Sequence, residues 1–367
     1  MDNVSAAPAT HAATGQHLSN EFVFSNPTPT LFMCSLYMFL GIVAIAANIF
    51  DMTVFLSSAD LRRRYMFFIA LDVAELFDGL CYILTSIGRG YGVLAGTFGK
   101  PITIHDCFFN RYWSHALILG TELPALITIV VSVERILAVH KPKLYSRIFT
   151  TKTKILSLVF IVAVQLCFLG VAAFSAYHNF EQANTRHCAV ITSTATIYST
   201  FHFTFVVVAY VVSFISLSVI FVIHRRMMKN AQNSYGSKRS PQLGLFLAVT
   251  GISVILVSMP SIVMIGIRWQ WFAVNDIIVG LTYSTTGLLS IVNTFINCMF
   301  RVEYRRQLGV LLPSIFPTLT ADSKSRTIAV TRLMPSVRPA TVSMTADDRP
   351  VKKSTKSRIF IVRLLVK

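Results

Sequence analysis

The chain has 367 residues, of which 54% are hydrophobic and 13% are charged, and its formal net charge is +17. Soluble domains usually carry about 25% charged residues, so this composition excludes an ordinary soluble fold and indicates a membrane protein. The net positive charge alone would suit a nucleic-acid partner, but the placement of the basic residues, described below, argues against nucleic-acid binding.

Residues 1–30 are polar and rich in Ala, Thr and Pro, and we expect them to be a disordered N-terminal segment. They contain no apolar stretch that ends at a cleavage site, so the first apolar run is expected to direct insertion. Asn3 opens the tripeptide Asn3-Val4-Ser5, which predicts a glycosylation site if this segment is extracellular.

Seven apolar runs follow, and each is long enough to cross about 30 Å of hydrocarbon as a helix of about 20 residues. Because lipid cannot satisfy exposed backbone polar groups, each run should be helical. The runs are approximately 31–56, 65–88, 112–139, 154–177, 196–223, 243–267 and 277–299. We therefore predict an all-α membrane protein in which residues 31–299 form a seven-transmembrane helix bundle.

Basic residues are distributed unevenly among the segments between these runs. With the N-terminus outside, thirteen Lys and Arg residues fall in the three inner loops and five in the outer segments. The positive-inside rule then predicts an extracellular N-terminus and a cytoplasmic C-terminus. We expect a multi-pass protein of the plasma membrane whose surroundings are the lipid bilayer and not nucleic acid.

Several ionisable or amide side chains lie inside the predicted spans. Asp72, Glu75 and Asp78 are spaced at i, i+3 and i+6 and share one broad face of the second span. Charged groups in spans usually face the bundle interior or a water-filled cavity, so we expect a hydrated cavity around Glu75. Asn48 in the first span needs an interhelical partner. Glu122 in the third span is either bonded between helices or in contact with a ligand.

Glu134-Arg135 ends the third run, and Pro142 follows in the next loop. This stretch resembles the Asp/Glu-Arg-Tyr motif of rhodopsin-like (class A) G-protein-coupled receptors. With the run Gly120–Ala125 before it, the chain is most similar to the divergent serpentine chemoreceptors of nematodes. The resemblance implies that Arg135 couples to the G protein, that Glu134 restrains it, and that Pro142 belongs to the coupling loop. An arginine snorkelling to the lipid headgroups is the alternative.

The same resemblance assigns roles to polar and proline residues elsewhere. Asn48, Glu75 and Asn293 match a polar core that binds a sodium ion in many members, and Pro260 matches a proline that kinks the sixth helix. Ser258 replaces the family's tryptophan before that proline, so the activation route is expected to differ. Run 277–299 contains no lysine, which excludes a retinal cofactor.

Two of the six cysteines, Cys107 and Cys188, fall in predicted outer segments, where conditions favour disulfides. The resemblance implies a disulfide between them. Cys107 lies a few residues farther from Arg135 than is usual in the family, so we expect it about one turn above the third helix.

The outer ends of the spans also carry aromatic and histidine side chains. They are typical of the aromatic belt of membrane proteins and also suit a ligand vestibule. The candidate vestibule residues are Trp113, His115, Glu122, His202 and Trp269.

Residues 300–312 alternate aromatic and basic side chains at helical spacing, which predicts a short amphipathic eighth helix at the inner interface. Residues 313–367 are rich in Ser, Thr, Pro and basic residues, and we expect a disordered cytoplasmic tail. Phosphorylation of its hydroxyls would add charge for an arrestin-type partner.

The sequence therefore predicts a receptor that binds an extracellular chemosensory or peptide-like ligand and activates a heterotrimeric G protein. An enzyme is not expected, because a seven-span metal hydrolase needs clustered His and acidic ligands and only His115 and His202 lie inside spans. The alternative is a proton-coupled transporter that uses the acidic face of the second span. Internal repeats would support a transporter, and we find none.

Overall fold

The computed structural model describes residues 26–183, 185–232, 242–271 and 276–312. The expected glycosylation site at Asn3 and the expected tail, residues 313–367, lie outside these ranges. The described part of the chain is mostly helical.

In chain order, the described α-helices are α1 (Pro27–Leu56), α2 (Ala59–Arg64), α3 (Met66–Leu94), α4 (Ile104–Phe109), α5 (Tyr112–His140), α6 (Pro142–Ile148), α7 (Thr151–Ala176), α8 (Val190–Ser193), α9 (Thr196–Gln232), α10 (Gln242–Ser253), α11 (Met259–Arg268), α12 (Asp276–Phe300) and α13 (Val302–Leu311). A π-helical turn, Val254–Ser258, joins α10 to α11. Two short strands, β1 (Ile102–Thr103) and β2 (Gln182–Ala183), pair antiparallel.

The seven predicted runs correspond to α1, α3, α5, α7, α9, the α10–α11 pair and α12. The boundary expected at residue 30 is wrong, because α1 already begins at Pro27. The side chain of Asn26 accepts a hydrogen bond from the Thr28 N–H at 3.0 Å. Proline at the first helical position and asparagine at the N-cap both favour a helix start there.

Five segments of the described chain are helical, long and apolar enough to cross a membrane. They are Pro27–Leu56, Tyr112–His140, Thr151–Ala176, Thr196–Ile223 and Leu247–Arg268. α3 and α12 are of similar length but more polar, and α3 alone carries three acids and an arginine. α3 packs along α1 and α5, and α12 packs along α1. Polar side chains of the two helices, among them Asp72, Glu75 and Ser290, are buried inside the bundle.

α7, in contrast, is apolar and largely exposed. Much of its apolar surface is exposed, and Phe174 reaches 82% exposure. Leu156 and Phe160 are exposed on the same helix. An extended apolar surface of this kind marks a lipid- or protein-facing side, and lipid accounts for it in a protein with several membrane-crossing helices.

Pro260 lies at the second residue of α11, directly after the π-helical turn. Proline has no N–H with which to bond the carbonyl four residues before it. That carbonyl, on Leu256, accepts instead from the Thr285 hydroxyl of α12 at 2.9 Å. The irregular turn is therefore stabilised by a neighbouring helix, and it is a natural point of bending.

α13 packs against α1 and α12, and it also contacts the junction between α2 and α3. Glu303 accepts hydrogen bonds at 2.6 Å from both Arg64 and the Tyr65 hydroxyl. Tyr304 and Leu308 are buried, whereas Val302 and Val310 are exposed. The helix therefore has one face on the bundle and apolar side chains on its outer face.

α1 and α3 approach each other closely at two glycines. A Cβ on Gly41 would lie 2.6 Å from the Gly79 carbonyl oxygen and 2.8 Å from the Ile83 side chain. Small residues at such crossings let helix backbones come together.

We predict that Gly41→Val forces α1 away from α3 and costs about 1–3 kcal/mol of stability, as overpacking usually does. The check is thermal unfolding of the purified protein in detergent. Gly170→Val is the matched control, because a Cβ on Gly170 of α7 meets nothing within 4 Å. An equal melting temperature for the two variants would contradict the close approach.

Candidate functional site

Cys107 and Cys188 form a disulfide, with their Cα atoms 5.4 Å apart. The prediction is confirmed, and so is the position of Cys107 above the third helix. Cys107 lies in the separate short helix α4, whose N-cap Thr103 accepts from the Asp106 N–H at 3.0 Å. We call this end of the bundle the disulfide end, and the end that carries Arg135 the arginine end.

The connection between α7 and α9 closes the disulfide end. Its strand β2 pairs with β1, with Ile102 opposite Ala183. The short helix α8 that follows is buried. The Ser114 hydroxyl of α5 lies 3.0 Å from the Cys107 carbonyl oxygen and 3.3 Å from that of Cys188. This connection therefore fills the space above α5.

The residues expected to form a vestibule do not share one open space. Trp113 is buried against Gly88, and its indole N–H donates to the His187 carbonyl at 3.3 Å. The His115 ring packs edge-on against Phe108, with centroids 4.3 Å apart. Trp269 is 54% exposed. The structure therefore does not bring Trp113, His115 and Trp269 together around one open space.

Glu122 and His202, the other two candidates, are fully buried in one interhelical cluster. Glu122 Oε1 lies 2.7 Å from His202 Nδ1 and 3.1 Å from the Tyr198 hydroxyl. Its Oε2 accepts from Gln165 at 2.9 Å. Of the two interpretations left open for Glu122, this geometry favours the carboxyl bonded between helices, here α5, α7 and α9.

A second polar cluster unites the predicted core residues. Glu75 of α3 accepts from Asn293 at 2.8 Å and from Ser290 at 2.9 Å, both on α12. Asn48 of α1 donates to the Ser290 hydroxyl at 3.1 Å. The structure thus brings Asn48, Glu75 and Asn293 together. The bridging Ser290 was missed, although it lies one helical turn before Asn293.

The other two acids of α3 do not join this cluster. Asp78 faces α5, where a Cβ on Gly120 would come within 2.7 Å of its Oδ1. Asp72 is buried one turn before Glu75. The predicted acidic face is therefore broad enough that Glu75 and Asp78 contact different helices.

Asp51 centres a third cluster that sequence reasoning missed. Its carboxylate accepts from Thr294 at 3.1 Å, from Asn297 at 2.9 Å and from the Tyr304 hydroxyl at 2.6 Å. These contacts join α1, α12 and α13. The available sequence signal was an acid, Asp51, about one helical turn after Asn48 in the first apolar run.

At the arginine end, the nearest cation to Glu134 is not Arg135. Glu134 is buried and lies 2.5 Å from Lys154 Nζ of α7, but 3.7 Å from Arg135. Lys154 had been counted among the loop charges, yet it is buried. Glu134 therefore contacts two cations, and its contact with Lys154 is closer than the expected contact with Arg135.

Tyr145 completes this arrangement from α6, whose first residue is the exposed Pro142. The Tyr145 hydroxyl donates to Glu134 at 3.3 Å. Burial, and secondarily the charge of Glu134, raise the pKa of Tyr145. The hydroxyl therefore stays protonated and can keep donating, so α6 is tied to the end of α5.

Arg135 packs over the Phe68 ring, 5.1 Å from its centroid. It also lines a cavity of about 40 Å³ that Glu75 and Asn293 line as well. Further lining residues, Tyr210, Thr250 and Ser253, come from α9 and α10. One cavity in the bundle therefore touches both the polar core and the arginine.

We predict that Glu122→Leu lowers stability by about 2–4 kcal/mol, because several buried partners lose their acceptor at once. Thermal unfolding of the purified protein is the measurement, with the exposed Glu181→Gln as control. If Glu122 instead served only a ligand, Glu122→Leu would melt like the control in the absence of ligand.

Residues 92–310 match the family model described as serpentine type 7TM GPCR chemoreceptor Srv. None of the curated proteins matches the chain. The matched region begins near the end of α3 and runs through α13, and it includes the disulfide, the Glu122 cluster and Arg135. The chain belongs to the Srv family of serpentine seven-transmembrane G-protein-coupled chemoreceptors.

Proposed function

We propose that the chain is a chemosensory receptor that binds an extracellular ligand at its disulfide end and activates a heterotrimeric G protein at its arginine end. The observation that carries this proposal is the cavity lined by both Glu75 and Arg135, in a chain of a chemoreceptor family. The family membership favours a receptor over the transporter alternative and over an enzyme.

Charge and redox conditions support the proposed orientation. The excess of basic residues in the loops at the arginine end favours the cytoplasm there. A disulfide between Cys107 and Cys188 suits the oxidising outer side of a plasma membrane. In this proposal the N-terminus is extracellular, and the tail after residue 312 is cytoplasmic and open to an arrestin-type partner.

The seven spans of the proposed receptor are α1, α3, α5, α7, α9, the α10–α11 pair and α12. α3 and α12 are too polar to face lipid on all sides, but their polar residues bond to each other inside the bundle. α13 serves as the eighth helix, lying at the inner interface with Val302 and Val310 toward lipid.

Activation in this proposal is a movement of α10 relative to α5. The π-helical turn and Pro260 provide the bending point, and Thr250 and Ser253 of α10 line the cavity beside Arg135. Bending there would widen the cavity and turn Arg135 toward the G protein. A ligand favours this state only through its higher affinity for it, and bound G protein should in turn raise ligand affinity.

A sodium ion in the cavity is part of the same proposal. Glu75 supplies a carboxylate, and the Asn293 Oδ1 is buried without a hydrogen-bond partner in the described chain. A cavity of about 40 Å³ has room for a small ion. The residues therefore fit a sodium ion held by Glu75 and Asn293, which would favour the closed state by its charge.

We expect Arg135→Ala to reduce nucleotide exchange on the G protein by about tenfold or more, the range of usual coupling energies. Exchange is measured in membranes at matched surface expression, using basal activity and a pooled chemical library. The exposed Arg147→Ala on α6 controls for charge loss at the same end. Equal activity of wild type and Arg135→Ala would exclude Arg135 as the coupling residue.

We also expect sodium chloride to raise the melting temperature of the purified receptor above that in N-methylglucamine chloride at equal concentration, since a ligand of the folded state stabilises it. Glu75→Gln should abolish this difference by removing the charge that holds the ion. Identical melting of the wild type in the two salts would contradict a sodium site.

A further inference from the structure

Arg89 of α3 is a buried cation at the disulfide end, with only 3% of its surface exposed. Its Nε donates to the His187 carbonyl at 2.9 Å. Its Nη2 has no hydrogen-bond partner in the described chain, and none of the ion pairs formed by the described residues involves Arg89. Burying a charge without a counter-ion is costly, so an anion at this position would be favoured.

Two small cavities, each of about 10 Å³, flank the Arg89 side chain and share Tyr37 as a second wall. The first is also lined by Thr85 and Tyr283, and the second by Thr30. The hydroxyls of these three residues are buried and have no hydrogen-bond partner in the described chain. Unsatisfied buried polar atoms are rare in folded proteins, and here four of them surround the same two cavities.

The polar groups without a hydrogen-bond partner indicate which kind of ligand could bind. A guanidinium only donates hydrogen bonds, and the three hydroxyls can donate as well. His187 does not compete with Arg89 for an anion, because burial and the charge of Arg89 hold its pKa well below the usual range and keep it neutral. A carboxylate matches the planar guanidinium best among common organic anions.

The other residues that line the two cavities indicate the chemical character of the rest of the ligand. Tyr82 and Leu117 line the first cavity, and Met33 lines the second. These walls are aromatic or apolar. We propose that Arg89, with Thr30, Thr85 and Tyr283, binds the carboxylate of an organic acid whose body is apolar or aromatic. This assignment rests on the proposed receptor function, and it names the class of its ligand.

The proposed site differs from the expected vestibule around Trp113 and His202. It lies between α1, α3 and α12, where Tyr37 donates to the Gly280 carbonyl at 3.0 Å. Each cavity has room for about one water molecule, so an organic anion, acetate included, must part α1 and α12 to bind. Such a ligand would stabilise a rearranged bundle, which is how differential affinity drives a switch.

The test is the melting temperature of the purified full-length receptor, followed by tryptophan fluorescence. The probes are sodium acetate and sodium benzoate against sodium chloride at equal ionic strength, with acetamide and benzamide as neutral isosteres. The wild type should melt about 2 °C higher in millimolar acetate or benzoate than in chloride. The neutral amides should give no rise. A wild type without any carboxylate-specific rise overturns the proposal.

The variants locate the site. Arg89→Gln should lose the carboxylate-specific rise, whereas the exposed Lys100→Gln, which removes one positive charge from the same end, should keep it. Tyr283→Phe should reduce the rise without lowering the melting temperature in chloride, because its hydroxyl bonds nothing in the described chain. Tyr283→Phe decides the question if Arg89→Gln does not fold. A full rise in Arg89→Gln, or in Tyr283→Phe, overturns the assignment.

This measurement does not involve a G protein. A carboxylate-specific rise in a receptor that fails to promote nucleotide exchange would keep the site and reject the proposed function. Exchange without any carboxylate-specific rise would keep the function and reject the site.

Discussion

A carboxylate inside an apolar bundle is stabilised by partners on neighbouring helices, because neither lipid nor the protein core hydrates it. Four of the buried acids have such partners here: Asp51, Glu75, Glu122 and Glu134 each accept bonds from at least one other helix. Together they join α1 to α12 and α13, α3 to α12, and α5 to α6, α7 and α9. The mutual orientation of the helices depends on these contacts, since apolar packing alone tolerates rotation.

The same contacts divide the molecule into a fixed and an adjustable part. α5 is held by the Glu122 cluster in its middle and by Lys154 at its end. α10 faces α5 across the central cavity, and above it lies the π-helical turn before Pro260. A ligand that parts α1 and α12 would move the helix whose Thr285 stabilises that turn. This chain of contacts offers a physical route from the disulfide end to Arg135.

Sequence reasoning recovered the helices well, because the thickness of a bilayer sets their length and the runs are apolar. It also identified Asn48, Glu75 and Asn293, since polar groups are conspicuous in such runs. It did not recover the side chains that bond to these polar groups or to the irregular turn. Such residue types are common in any helix, and which of them make contact depends on how each helix is rotated about its axis. The missed partners are Asp51, Lys154, Thr285 and Ser290. Nor could it show that the loop after α7 folds inward, because two-residue strands and a four-residue helix carry no periodic signal.

The pair of Glu134 and Lys154 provides the most direct test that buried charges are matched across helices. A double-mutant cycle would measure the melting temperatures of Glu134→Gln, Lys154→Met and the double variant in the purified receptor. Each single variant leaves one buried charge without its partner, so each should be strongly destabilised, by about 3–5 kcal/mol. The double variant should lose less than the sum of the two single losses, and the difference, the coupling energy, should be about 1–3 kcal/mol. Additive losses would show that the two side chains stabilise the bundle independently and would contradict the account.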